Sequence, residues 1–302
     1  RAFIGTTHGF CLEVLSERGK LVGIEGTPNV FEMARDRREI LEKAIEDDPF
    51  LSAELAEIED PKNRKLKVDR WLTAISYVKS HPISCAVIDD EETRQVLEAY
   101  DAGMRASNAY DFDDLLLITY RLFVEHPKLG DIYRRLYRFI CIDEAQDMNE
   151  AQYAVLSALT GDNHRNVMLV GDPRQSIYGF NKSGPQYMER FSVEFGATQV
   201  DLTANFRSSR AVMDFAQTLG SEYRVKQQLP VRGEVGLLVG DDEKMEASLI
   251  VDTLERLFKA GHPDVEGGVS PAKCAVLGRT RYALLSIEAE LKSRDIPFYK
   301  RL

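Results

Sequence analysis

Apolar residues recur at three- and four-residue steps from Cys11 to about Tyr110, as in VFEMARDRREILEKAIE and VDRWLTAISYVKS. That spacing lays one apolar stripe along a helix and predicts a mainly helical block, its pieces separated by short Pro and Gly breaks. The run FDDLLLITYRLFVEH continues as helix, with Asp111 as its N-cap. Ahead of the block, FIGT (Phe3 to Thr6) reads as a short buried strand.

Beyond that helix the rhythm changes. FICI, VMLVG (Val167 to Gly171) and TQVDL (Thr198 to Leu202) are short apolar runs, followed in turn by the amphipathic stretches AQYAVLSALT, PQYMERFSVEF and SSRAVMDFAQTL. Short strands alternating with helices predict an α/β fold with a parallel sheet and helices on its faces. A weak break, LGSEYRVKQQLPVRG from Leu219 to Gly233, is a candidate domain boundary. Past it VGLLV, an amphipathic helix from Glu246 to Lys259, CAVLG and IPFY begin a second α/β unit. No internal repeat is visible.

Composition narrows the class. The chain has 302 residues, 44% of them hydrophobic and 29% charged. That suits a folded soluble protein of one large or two ordinary domains. No apolar run is long enough to cross a bilayer, and RAFIGTTHGF has none of the parts of a signal peptide, so the cytoplasm is the expected location. Cys11, Cys85, Cys141 and Cys274 are far apart, with no CxxC pair and no His at ligand spacing. They predict neither a zinc site nor a disulfide framework. Cys141 lies in an apolar run and reads as core packing. The net charge of −10 argues by itself against a phosphate-rich partner. The charge is uneven, however. Glu42 to Asp60 is strongly acidic, while Arg35 to Arg38, Lys62 to Lys67 and Tyr133 to Arg138 are basic, so a local groove can be positive.

The candidate chemistry sits where strands end. FICIDEAQD, Phe139 to Asp147, runs from an apolar strand straight into carboxylates. In parallel α/β sheets, ligands bind beyond the carboxyl ends of the strands. An acid at that edge, Asp143, suits a magnesium ion bridging nucleotide phosphates, and Glu144 can orient or deprotonate an attacking water. The plain alternative is a solvated loop after a core strand. LVGDPRQSIYGF, Leu169 to Phe180, leaves the next strand at the same edge; Gln175 can hydrogen-bond a terminal phosphate or its attacking water. Tyr178 and Phe180, flanked by loop-forming residues, suit a stacking platform for unpaired bases, although isolated aromatics are more often core. LTANFRSS, Leu202 to Ser209, leaves a third strand. Arg207 carries a planar, always charged head suited to a γ-phosphate, and Phe206 can stack on an adenine. Alone, that Arg reads better as one that caps or pairs locally.

Taken together these segments resemble the UvrD/Rep-type (PcrA-like) superfamily 1 DNA helicases. GTTHGF is similar to the family's TxH segment, DFDDLL to its acidic helix start, IDEAQD to its Walker B motif, and VGDPRQSIYGF and NFRSS to its third and fourth motifs, all in the family's order. The resemblance implies a RecA-like P-loop NTPase sheet (residues 1–10 and 111–218), a helical 1B-like insertion (11–110) and the start of a second RecA-like domain (219–302). It implies ATP and Mg2+ as cofactors, with Asp143 holding the metal, Glu144 activating water, Gln175 and Arg207 sensing the γ-phosphate and Phe206 lying on the adenine. It further implies DNA contacts by Thr6, His8, Tyr178 and Phe180. Where the family continues with Arg-Gly this chain has Asn181-Lys182-Ser183-Gly184, and Lys182 stands in as a point charge. The implied partners are single-stranded DNA, duplex/single-strand junctions, and repair or nuclease proteins.

One element of that pattern is missing. No GxxxxGK[ST] string occurs; the only Gly-Lys, at Gly19-Lys20, lacks its flanking residues. The family's later motifs are missing as well. The expectation is therefore a piece of an ATP-driven helicase that, alone, binds nucleotide poorly and hydrolyses it negligibly. The competing expectations are a non-catalytic DNA-binding scaffold and the helicase subunit of a nuclease or phage-defence complex.

Overall fold

The computed structural model describes residues 2–31, 33–84, 90–162, 164–177, 179, 183–220 and 225–300. The chain divides into two compact units, Arg1–Gln199 and Val200–Leu302.

The first unit opens with α1 (Thr7–Arg18), whose N-cap is Thr6; the Thr6 hydroxyl accepts the Gly9 amide at 3.0 Å. The expected strand at Phe3 to Thr6 does not form. Ile4 is 97% exposed, and no neighbouring strand among the described residues pairs with it. A two-residue strand β1 (Asn29–Val30) follows, then α2 (Ala34–Glu46), α3 (Pro49–Ala56), α4 (Pro61–Ser80), α5 (Glu91–Ala106) and β2 (Ala109–Tyr110). The helical spacing seen in sequence from Val30 onward is therefore true only from Ala34, because Val30 pairs with Tyr110 in a parallel β1–β2 ladder. Asp48, Asp60 and Asp90 each cap the helix that follows with a side-chain oxygen on a first-turn amide. Leu41 and Ile45, Leu51, Val68, Trp71 and Ile75, and Val96, Tyr100 and Met104 meet in one core, so these four helices bury their apolar stripes against one another.

Then come α6 (Phe112–Glu125), α7 (Pro127–Leu136), β3 (Ile140–Ile142), α8 (Glu150–Thr160), β4 (Val167–Leu169) and α9 (Gln186–Phe195). Asp111 caps α6 as expected, and a full capping box forms: Asp111 accepts the Asp114 amide at 2.8 Å while Asp114 accepts the Asp111 amide at 3.1 Å. A second core joins α1, α6, α7 and α8 through Cys11, Leu15, Leu116, Phe123, Tyr133 and Val155. A third packs Ala145, Met148, Tyr153 and Leu156 against Tyr187 and Phe191 of α9.

β3 and β4 are parallel, in register Ile140 to Val167, Cys141 to Met168 and Ile142 to Leu169. Cys141 is exposed, as is Met168 beside it. The core role expected for Cys141 is therefore overturned. Side chains alternate across a strand, and the flanking isoleucines take the covered face. Cys11 is the buried thiol, with burial pushing it up to about 12.

The second unit carries β5 (Ala204–Asn205), α10 (Arg210–Gln217), β6 (Gln227–Gln228), α11 (Glu243–Ala260) and α12 (Leu285–Ser293). β5 and β6 are parallel. The expected strand at Thr198 to Leu202 gives way to this shorter pair further on. VGLLV, CAVLG and IPFY form no ladder; Leu237, Leu277 and Tyr299 are 87%, 93% and 80% exposed. An apolar run becomes a strand only where another backbone edge satisfies its N–H and C=O groups. Here α11 and α12 pack through Ala247, Val251 and Leu291, and Arg294 ties them by bonding Asp252, Ser248 and Glu290. The whole is a mixed α/β protein, rich in helix, with three small parallel sheets among its described residues.

Candidate functional site

Because β3 and β4 are parallel, their carboxyl ends lie side by side and release two loops at one edge. Backbone bonds carry the pairing past the strands. The Val170 amide donates to Ile142 O at 2.8 Å, and the Ala145 amide to Val170 O at 2.9 Å. The first loop contains Asp143 and Glu144, both exposed. Asp143 Oδ1 accepts the Glu144 amide at 2.9 Å. Glu144 itself is left-handed, at φ 51° and ψ 38°. A non-glycine residue there is strained, and such strain persists only where surrounding bonds over-determine it.

The second loop starts at Gly171. Asp172 caps a single 3-10 turn, Pro173–Gln175, accepting the Arg174 amide at 3.0 Å. Its other carboxylate oxygen accepts Gln175 Nε2 at 2.9 Å, so the exposed Gln175 amide is folded back onto its own loop. The downstream end is tied to the acidic loop as well, since the Gly184 amide donates to Met148 O at 3.1 Å. Tyr178, Phe180 and Lys182 lie outside the described residues.

Gln146 joins the two loops. It is 2% exposed. Its Nε2 donates to Glu144 Oε2 at 2.7 Å, and its Oε1 accepts the Asp172 amide at 3.1 Å. The backbone amide can only donate and an ionised carboxylate only accept, so these partners fix which way the Gln amide faces. Sequence reasoning passed over this residue. The sequence carried little signal for it, since Gln146 lies among Asp143, Glu144 and Asp147 in a stretch that reads as a polar loop. A Cβ on Gly171 would come within 2.4 Å of Gln146 Oε1 and 3.0 Å of the Ala145 amide nitrogen. Glycine is what lets the loops close.

Thr6 and His8 sit at the start of α1. The Thr6 hydroxyl is engaged in capping. The His8 ring meets Phe112 edge-on at 5.0 Å, and burial pulls its pKa down, favouring the neutral ring. In the second unit Phe206 is 75% exposed and Arg207 is exposed. Asn205 shapes their turn, its Oδ1 accepting the Arg207 amide at 3.2 Å and the Ser208 amide at 3.0 Å. The structure thus brings Asp143, Glu144 and the Gln175 loop together within the first unit.

Each basic stretch gives at least one side chain to an ion pair within the chain. Arg35 pairs with Glu39, Arg37 with Asp111, Arg38 with Asp69, Lys67 with Glu92, and Arg134 with Asp131. Among the described residues no group of three or more His, Cys, Asp or Glu is placed to hold a metal. A magnesium ion that keeps its waters and takes phosphate oxygens needs only one or two carboxylates. Exposed Asp143 at the strand edge fits that requirement.

An acidic pair and a Gly-Asp loop side by side at the carboxyl end of a parallel strand pair define a strand-end site in an α/β protein. Residues 1–196 match the UvrD/REP helicase N-terminal domain, and the chain belongs to that family. It is 25% identical to the ATP-dependent DNA helicase PcrA of Leuconostoc citreum over 98% of this chain and 39% of that protein. It is 27% identical to the ATP-dependent DNA helicase UvrD1 of Mycobacterium leprae (98% of this chain, 39% of that protein). It is also 27% identical to the ATP-dependent DNA helicase Rep of Salmonella typhimurium (83% and 37%). The chain spans about two fifths of the length of these relatives. No described helix is long and apolar enough to cross a membrane.

Proposed function

We propose that these residues are part of an ATP-driven DNA helicase of the UvrD/Rep type, which moves along single-stranded DNA and opens duplexes at junctions. The observation that carries this reading is the β3–β4 edge, where Asp143-Glu144 and the Asp172–Gln175 loop are stitched together by backbone and Gln146 bonds. The relatives' printed names supply the substrates, ATP and DNA.

In this reading residues 1–10 and 111–218, with the β3–β4 pair, belong to a RecA-like motor domain, residues 11–110 form a 1B-like insertion, and residues 219–302 begin another RecA-like domain. Asp143 holds Mg2+, which when bound neutralises phosphate charge. Glu144 orients water and takes its proton, a role open to an exposed carboxylate. Gln175 turns its amide from Asp172 to the terminal phosphate. Arg207 senses a phosphate as a bidentate donor, and Phe206, exposed next to it in sequence, stacks on the base. Thr6 and neutral His8 hydrogen-bond the DNA backbone, Tyr178 and Phe180 stack on bases, and Lys182 adds a point charge. The protein works in the cytoplasm, in repair, replication or defence.

The test is Glu144→Gln in the complete protein. Nucleotide binding should persist while ATP turnover falls at least ~100-fold, the scale of a positioned general base. Turnover equal to wild type would remove Glu144 from the mechanism. A protein that binds DNA but never hydrolyses ATP, in wild-type form, would favour the non-catalytic scaffold.

A further inference from the structure

The loop joining β3 to α8 contains one buried polar side chain that the reading above does not use. We infer that Gln146 is a positioning residue that aims the Glu144 carboxylate and holds it in register with the Asp172 loop. The inference rests on the proposed role of Glu144.

Three observations support it. Gln146 is 2% exposed, and a buried primary amide is costly unless its groups are paired. Both of its polar atoms are used, one on each loop: Nε2 on Glu144 Oε2 at 2.7 Å and Oε1 on the Asp172 amide at 3.1 Å. Glu144 holds a left-handed backbone, a strain that persists only where surrounding bonds fix it, and among the described residues the Gln146 bond is the one on its carboxylate. One rigid side chain therefore fixes both the rotamer of the candidate base and its distance from the loop bearing Gln175. Gly171 leaves the space in which this contact is made.

The chemistry separates the two halves of the side chain. Gln146→Glu keeps the shape and the acceptor for the Asp172 amide but turns a donor into a carboxylate facing Glu144. That variant keeps one loop tied and loses the bond that aims the Glu144 carboxylate. Gln146→Met keeps the volume and removes both bonds.

The experiment uses the complete protein and measures DNA-stimulated ATP hydrolysis against ATP concentration, with Glu144→Gln as reference. Gln146→Met should lower kcat ~10- to 100-fold with KM for ATP changed less than ~3-fold, since the lost bonds orient the base rather than hold nucleotide. Gln146→Glu, which lacks the donor to Glu144 and keeps the acceptor for the Asp172 amide, should show the same split, with kcat lowered and KM near wild type. Thermal unfolding of both variants confirms that they fold. If Glu144→Gln abolishes turnover while Gln146→Met matches wild type, the site reading stands and the positioning role is wrong. If KM rises with kcat unchanged, or Gln146→Glu keeps the wild-type kcat, Gln146 is a structural residue only. If Glu144→Gln retains full turnover, the site reading itself fails, and the positioning role with it.

Discussion

Replacing Lys79 with Met removes one charge from a cluster that joins α2, α4, α5 and α6. The Lys79 ammonium is 1% exposed. It donates to Asp114 Oδ1 at 2.6 Å, pairs with Asp101 at 2.8 Å and with Asp111 at 3.9 Å, and lies 4.7 Å from the centre of the Tyr100 ring. Burial alone would lower its pKa, but the three carboxylates outweigh it and hold the amine charged. Asp111 keeps other partners, Arg37 at 3.3 Å and the Tyr100 hydroxyl at 2.9 Å. Asp114 keeps only the amide of its capping box. Burial, reinforced by the charge of Asp111, already pushes Asp114 up to about 7.

Breaking a buried ion pair from one side costs about 3–5 kcal/mol. Asp114 can escape part of that by taking up a proton, so the lower end, about 3 kcal/mol, is expected near pH 8. For a protein of this size that corresponds to a fall in Tm of about 6–12 °C. Near pH 5 the loss should shrink, because Asp114 is then protonated with or without the lysine. The same sign applies to the wild type. An acid whose folded pKa is raised from 3.8 to about 7 contributes stability that is whole below about pH 4 and drains away as pH climbs through 7. Asp114→Asn should flatten that decline. Urea and thermal unfolding followed by far-UV circular dichroism at the two pH values measure both effects. A Lys79→Met penalty under about 1 kcal/mol near pH 8, or one that grows on acidification, would refute this account of the cluster.

Two further outcomes are expected. Gly171→Ala should destabilise by about 1–3 kcal/mol, because the new Cβ meets backbone nitrogens that cannot swing aside, and it should cut ATP turnover by expelling Gln146; an unchanged melting curve would show that the loops separate freely. Tyr178→Ala with Phe180→Ala should weaken binding of a single-stranded oligonucleotide by about 1–3 kcal/mol per lost stack, read by fluorescence anisotropy, and unaltered affinity would make these rings core side chains.

The periodic segments were legible in the chain itself. The capping box of α6 follows from Asp111 and Asp114 at a three-residue step, and the helices α4 and α8 from their apolar stripes, because such information is local. The strand-end position of Asp143 and Glu144 was equally legible, since FICI runs straight into them. Pairing was not. Phe3 to Thr6, Thr198 to Leu202 and Val235 to Val239 read as strands in sequence, yet find no ladder among the described residues, because a strand is completed by an edge supplied from elsewhere in the chain. Nor did the sequence reveal that Cys141 faces outward, since a three-residue strand gives no hint of which face is covered. Gln146 is the clearest case. Its two hydrogen bonds reach residues 144 and 172, and the second of these, 26 positions away, exists only because two parallel strands place their loops side by side.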